Sequence, residues 1–216
     1  AESVDKESVV IARELKGSNW GHNMFRYSAC DYCDDVFAET ADVVIGDAWL
    51  PDYEKDPDGT CIIGTRKSEL STILMNATKM NRLQLVEANL DDIIKSQEGG
   101  LRDRREGLSY RLWLKKKDNL WAPKKRVKPS LNLISTKRQK LYDIRLNMRI
   151  KSHLIWQKAV GKNSLKYFNS EISALVNGYN KVYFSRTKRI LFFLFYTIPK
   201  KVSYILKRAN KFFYQP

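Results

Sequence analysis

The chain has 216 residues, 43% of them hydrophobic, enough to bury a core as one domain or as a domain with an appendage. Its three cysteines are too few and too uneven for a secreted disulfide framework, which favours a reducing, cytoplasmic setting and gives a close pair to metal binding or catalysis. The net charge of +15 is unevenly spread: residues 1–60 carry 14 acids and 5 bases, and the remainder carries 34 bases and 10 acids, as expected of two regions that meet different partners.

The first ten residues, AESVDKESVV, lack the apolar core of a signal peptide. Residues up to Gly17 read as mid-domain sequence, and a longer N-terminal portion is expected upstream of Ala1. A short apolar stretch at 9–12 leads to a turn at Gly17-Ser18-Asn19. ADVVIGD, 41–47, is a β-branched run ending in Gly-Asp, with the composition of a buried strand. PDYEKDPDGT is a loop, and TCIIGTR, 60–66, is a second strand. Leu70, Ile73, Leu74, Ala77 and Met80 recur at helical spacing, with Ser68 as N-cap. LQLVEA reads as a third strand. Asn89 then opens another helix, with Asp91 and Asp92 in the first turn, where carboxylates suit the positive end of the helix dipole.

This order predicts a mixed α/β unit ending near Gln97. A glycine-broken, arginine-rich stretch follows, EGGLRDRREGLSYRLWL. WAPKKRVKPS, 121–130, with two prolines and four bases, reads as a linker. Beyond it the pattern is helical and basic, and no acid occurs from 180 to 216. ILFFLFYTI, 190–198, is too short to span a bilayer. At about 100° per residue, Val202, Ile205, Leu206, Ala209, Phe212 and Phe213 fall on one side of a final helix. Lys200, Lys201, Lys207, Arg208 and Lys211 fall on the other. Such a helix packs on its own domain or lies in the interface of an anionic membrane. Nucleic acid is disfavoured, because basic charge alone gives non-specific phosphate attraction and no recognition motif accompanies it.

Cys30-x-x-Cys33 lets two thiolates reach one metal or cluster from a single turn. Zinc would need two further ligands, with His22 and Cys61 the arithmetically available ones. A thioredoxin-like disulfide is poorly served by the acids of DDVFAE that follow, and two buried structural cysteines are the plain alternative. Gly-x-Ser-x-Gly, the phosphate loop, His-Glu-x-x-His and Gly-x-Gly-x-x-Gly are all absent from the sequence. With His22 and His153 the only histidines, no general acid or base is assigned.

ACDYCDDVFAETADVVIGDAW, with DGTCIIGTR and SQEGGLRDRREGLSYRL downstream, resembles the C-terminal domain of the coenzyme F420 hydrogenase/dehydrogenase beta-subunit family. The likeness runs from about Trp20 to Leu114 and is nearer to bacterial members found with polysaccharide-biosynthesis enzymes. It implies an iron–sulfur flavoprotein oxidoreductase that passes electrons between a 4Fe-4S cluster and FAD, a related flavin or a deazaflavin. Cys30 and Cys33 would ligate the cluster, with the other ligands upstream or in a ferredoxin-like module or redox partner protein. At the strand end, Gly46 permits close backbone approach and Asp47 offers a carboxylate to a ribityl or ribose hydroxyl, an ordinary turn being the alternative. Arg102, Arg104 and Arg105 would meet cofactor phosphates, or form a solvated face.

The expected fold is thus a mixed α/β (α+β) domain over 1–120, a linker over 121–130 and a basic helical extension over 131–216. The expected setting is cytoplasmic, with peripheral contact at the inner membrane face through 180–216. A non-catalytic membrane- or partner-binding protein and a small zinc protein are the readings from other classes.

Overall fold

A computed structural model describes residues 17–132 and 134–185. The expected apolar stretch at 9–12 and the basic helix after Pro199 lie outside these residues. The chain divides into two compact units, one of residues 1–27 with 135–216, the other of 28–134.

The 28–134 unit is mixed α/β. Strands β1 (Val43–Asp47) and β2 (Cys61–Thr65) pair antiparallel, with Val43 opposite Thr65 and Asp47 opposite Cys61. Gly64 is needed for this approach, since a Cβ there would sit 3.0 Å from Val44 Cγ1 on the facing strand. The expectation of a buried strand at 41–47 is not met: Ile45 is 64% exposed. Among the described residues the two-stranded ribbon has no second layer over this face, and β-branched composition alone cannot provide one. In the connecting loop, the Asp56 carboxylate accepts from Thr60 Oγ1 at 2.8 Å and from Asp58 N at 3.1 Å. The Thr60 hydroxyl, then the backbone donors, hold that carboxyl below its usual range.

Helix α1 (Ser68–Lys79) follows the predicted periodicity, but Ser68 is its first helical residue rather than its cap. Lys67 occupies the cap position in extended conformation, and its ammonium pairs with Asp42 at 3.1 Å. The expected third strand at 83–88 is irregular chain, with Val86 81% exposed. Its residues would suit a pleated surface, yet among the described residues no strand lies beside them to take their hydrogen bonds. Helix α2 (Leu90–Ser96) begins as read from the sequence: Asn89 Oδ1 accepts from Asp92 N at 2.8 Å, and Asp91 and Asp92 occupy the first turn.

The glycine-broken stretch is helical throughout. Helix α3 (Glu98–Arg102) passes through one π-helical segment, Asp103–Gly107, into α4 (Leu108–Lys117). A π-segment adds a residue to the turn and re-aims side chains on either side of it.

The other unit is built on a helical hairpin, α5 (Thr136–Gly161) and α6 (Leu165–Tyr183). Ser135 and Ser164 cap the two helices, accepting from Arg138 N at 3.4 Å and Tyr167 N at 3.2 Å. Asn163, at φ 46°, turns the chain between them. Lys137 near the start of α5 donates to the Tyr183 carbonyl at the end of α6 (3.2 Å), so the helices run antiparallel. Leu141, Met148 and Ile155, seven residues apart, pack with Phe168, Ile172 and Tyr179 and with Met24. Ser152, fully buried in α5, accepts from Phe25 N at 2.9 Å and so holds the chain around Met24 on the hairpin.

Candidate cofactor site

Cys30 and Cys33 lie at a tight turn. A 3-10 helix spans Ser28–Tyr32, and Cys33 N donates to the Cys30 carbonyl at 3.4 Å. Neither cysteine is in a disulfide, and both are half-buried. Cys33 Sγ donates weakly to the Asp35 carbonyl at 3.5 Å. The acids around the pair serve the backbone: Asp35 accepts from Phe37 N and Glu39 N, each at 3.0 Å, which closes the turn after Cys33.

The turn is held from below by a residue that no sequence pattern singled out. Arg111 on α4 is 4% exposed, and its Nε donates to the Asp31 carbonyl, between the two cysteines, at 2.8 Å. Its other nitrogens donate to the Asp103 carboxylate at 3.1 Å and the Asp103 carbonyl at 3.0 Å. Asp103 opens the π-segment. One guanidinium therefore joins the cysteine turn to the segment that carries Arg104 and Arg105, using the fixed fork of its donors.

Residues 121–130 form a strap fastened to the same region. Lys125 Nζ lies 3.4 Å from Asp34, next to Cys33 in sequence. Arg126 reaches Asp34 at 3.4 Å and grips Glu39 with two bonds of 2.6 and 3.0 Å. Ser109 Oγ on α4 donates to the Lys128 carbonyl at 2.7 Å. Burial acts to raise the Asp34 carboxyl, but the hydrogen bonds and charge of Lys125, then of Arg126, outweigh it and hold it below its ordinary value. The Arg126 hydrogen bond likewise depresses Glu39. The carboxylates that follow Cys33 thus meet bases far along the chain, a neutralisation that the local sequence conceals.

Gly46 and Asp47 sit at the end of β1, with Gly46 opposite Ile62. No atom lies within 4 Å of where a Gly46 Cβ would stand, and the Asp47 side chain is exposed, so the strand end is open to a ligand. The Asp47 carbonyl accepts from Gln97 Nε2 at 3.0 Å, which ties the strand end to the start of α3. The three candidate arginines differ in what they meet. Arg102 is paired with Glu98 at 2.7 Å, one turn earlier. Arg105 is exposed and its charge acts on Glu39. Arg104 is half-buried, with its Nε lacking a hydrogen-bond partner. A Cβ on Gly100 would lie 3.4 Å from Arg104 Nη1 and 3.6 Å from Val36 Cγ1, so Gly100 makes room for this side chain beside the segment after the cysteines.

Two thiols at one turn match, in donor chemistry, two positions of a four-thiolate iron–sulfur cluster. Among the described residues no group of three or more His, Cys, Asp and Glu side chains is placed to hold a metal ion.

Residues 2–91 match the family model for the C terminus of the beta subunit of coenzyme F420 hydrogenase/dehydrogenase. This segment is similar to that family. The match takes in Cys30, Cys33, Gly46 and Asp47 and ends before Arg102, Arg104 and Arg105. No curated protein and no solved structure matches the chain. Among the described residues no helix is long and apolar enough to cross a membrane.

Proposed function

We propose that the chain is the C-terminal portion of an iron–sulfur flavoprotein oxidoreductase acting in surface-polysaccharide biosynthesis, with residues 28–134 contributing to its cofactor site. The observation that carries this reading is the coincidence of the family match with a cysteine turn braced by a buried arginine. A 4Fe-4S cluster exchanging electrons with a flavin or deazaflavin would supply the redox chemistry. Cys30 and Cys33 would hold two of its irons, and the remaining ligands would come from an upstream segment or a redox partner protein. Arg111 keeps the turn in one conformation, and the strap offsets the carboxylate charge beside it. The open end of β1 at Gly46 and Asp47 and the unpartnered Nε of Arg104 suit the sugar-like chain and the phosphate of a flavin nucleotide.

Iron and sulfide assay of anaerobically purified protein, expressed from the intact reading frame, tests this reading, together with absorbance near 400 nm, roughly where cluster and flavin bands overlap. Bound iron, sulfide and flavin are expected, and Cys30→Ser with Cys33→Ser is expected to abolish cluster loading. Colourless protein carrying stoichiometric zinc overturns the reading. Unchanged iron in the double variant removes the two cysteines from the ligand set.

A further inference from the structure

The second half of α5 presents apolar side chains that the hairpin core does not use. Met148, Ser152, Ile155 and Ala159 face inward and are buried. Ile150, Leu154, Trp156 and Val160 remain 49%, 51%, 47% and 60% exposed, and Leu165 at the start of α6 is 65% exposed. At 3.6 residues per turn these α5 positions span an arc of about 160° from Trp156 through Val160 and Ile150 to Leu154. Within that arc the residues from 150 to 161 include no Lys, Arg, Asp or Glu, and its polar members are half-buried His153 and exposed Gln157. Exposed Lys151 and Lys158 border it on the Leu154 side, and exposed Lys166 follows Leu165 on α6. From 144 to 170 the chain has no acid. Trp156 is packed edge-on to Phe168 with ring centroids 5.4 Å apart, so the patch includes a positioned aromatic.

We propose that this face of α5, with the start of α6, seats on an anionic lipid bilayer. Branched aliphatic residues and a tryptophan bordered by lysines suit the boundary between headgroups and acyl chains, where apolar burial and attraction to anionic lipid add together. Nucleic acid would meet the lysines but leave Ile150, Leu154 and Val160 unused. This surface is separate from the tail after Pro199 and independent of the redox reading.

The test is sedimentation of the full chain with vesicles of phosphatidylcholine alone and of phosphatidylcholine mixed with phosphatidylglycerol. Tighter partitioning onto the mixed vesicles is expected. Ile150→Ser, Leu154→Ser and Val160→Ser together should weaken it at least about tenfold, with the circular dichroism unchanged. Lys151→Gln, Lys158→Gln and Lys166→Gln together should do the same, and they touch no core residue. Both sets are repeated in a chain whose Lys200, Lys201, Lys207, Arg208 and Lys211 are changed to Gln, which separates this face from the tail. Equal partitioning of wild type onto both vesicles overturns the proposal. So does undiminished binding by a folded apolar variant or by the lysine variant.

Discussion

Arg111 Nε donates to the Asp31 carbonyl at 2.8 Å, across 80 residues of chain and at 4% exposure. With Asp103 as its counter-ion, this single side chain is the brace of the cysteine turn. A buried guanidinium is costly to desolvate and is tolerated only while its donors are used. Removing it takes the Arg111 charge away from the Asp103 carboxylate, which is only 14% exposed.

Arg111→Met is therefore expected to destabilise the protein by about 3 kcal/mol, the range for breaking a buried pair from one side. Urea unfolding checks this, read as a fall in midpoint at constant slope. Arg111→Met combined with Asp103→Asn should cost less than the single changes summed, because the two side chains share one ion pair. A loss under about 1 kcal/mol for Arg111→Met would place the brace elsewhere.

The strap predicts an acid sensitivity. Asp34 and Glu39 have folded values below their unfolded ones, so the stability that they contribute is present above roughly pH 4 and lost as pH falls through the lower folded values. Lys125→Gln with Arg126→Gln removes that contribution. Wild type should thus exceed the variant by a constant margin at neutral pH, and the two unfolding curves should converge below pH 4 or so. The margin should also shrink with added salt, since Arg126 and Glu39 are largely in water. Parallel curves throughout the acid range would contradict the pairing.

His22 predicts a second, milder window. Burial, then the nearby Arg145 charge, pushes its imidazole below the ordinary histidine value, and its Nδ1 lacks a hydrogen-bond partner beside the Tyr179 ring at 4.9 Å. The unfolded chain takes up a proton near pH 6.5 and the folded one only at lower pH. Stability is full above that range and falls as pH drops from about 6.5 through the folded value. His22→Gln should flatten the thermal midpoint between roughly pH 7 and 5. An unchanged slope would show that His22 titrates normally.

The arginines separate in their expected effect on flavin retention under the proposed function. Arg104→Gln should weaken it, because its Nε is the one of the three left unsatisfied and buried. Arg102→Gln should change it little, since Arg102 already spends its charge on Glu98 one helical turn away. Fluorescence of released flavin measures both. Equal retention in the two variants would remove Arg104 from the phosphate contact.

Local chemistry made much of this molecule readable in one dimension. The Asn89 cap, the period of α1, the two short strands and the Cys-x-x-Cys turn all depend on residues within a few positions of one another. The family resemblance of the segment around Cys30 and Cys33 was readable for the same reason, since a motif is local by nature. Two misreadings share one cause. Among the described residues, the run at 83–88 has strand composition but no strand beside it, and β1 has buried-strand composition but no covering layer. Strand pairing and burial require a partner brought from elsewhere, which residue type alone does not supply. Glycines suggested a break in 98–107, whereas a π-segment carries the helix through them.

What the sequence determined by itself was the pair of thiols, the Gly-Asp strand end and the arginine-rich run, as separate pieces. Only the tertiary structure decided that Gln97 ties the strand end to α3, that Arg111 ties the cysteine turn to the π-segment, and that a basic strap meets the acids beside Cys33. Those links span 50 to 92 residues. Their energies come from desolvated donors and paired charges, and such terms arise only when folding brings distant groups together.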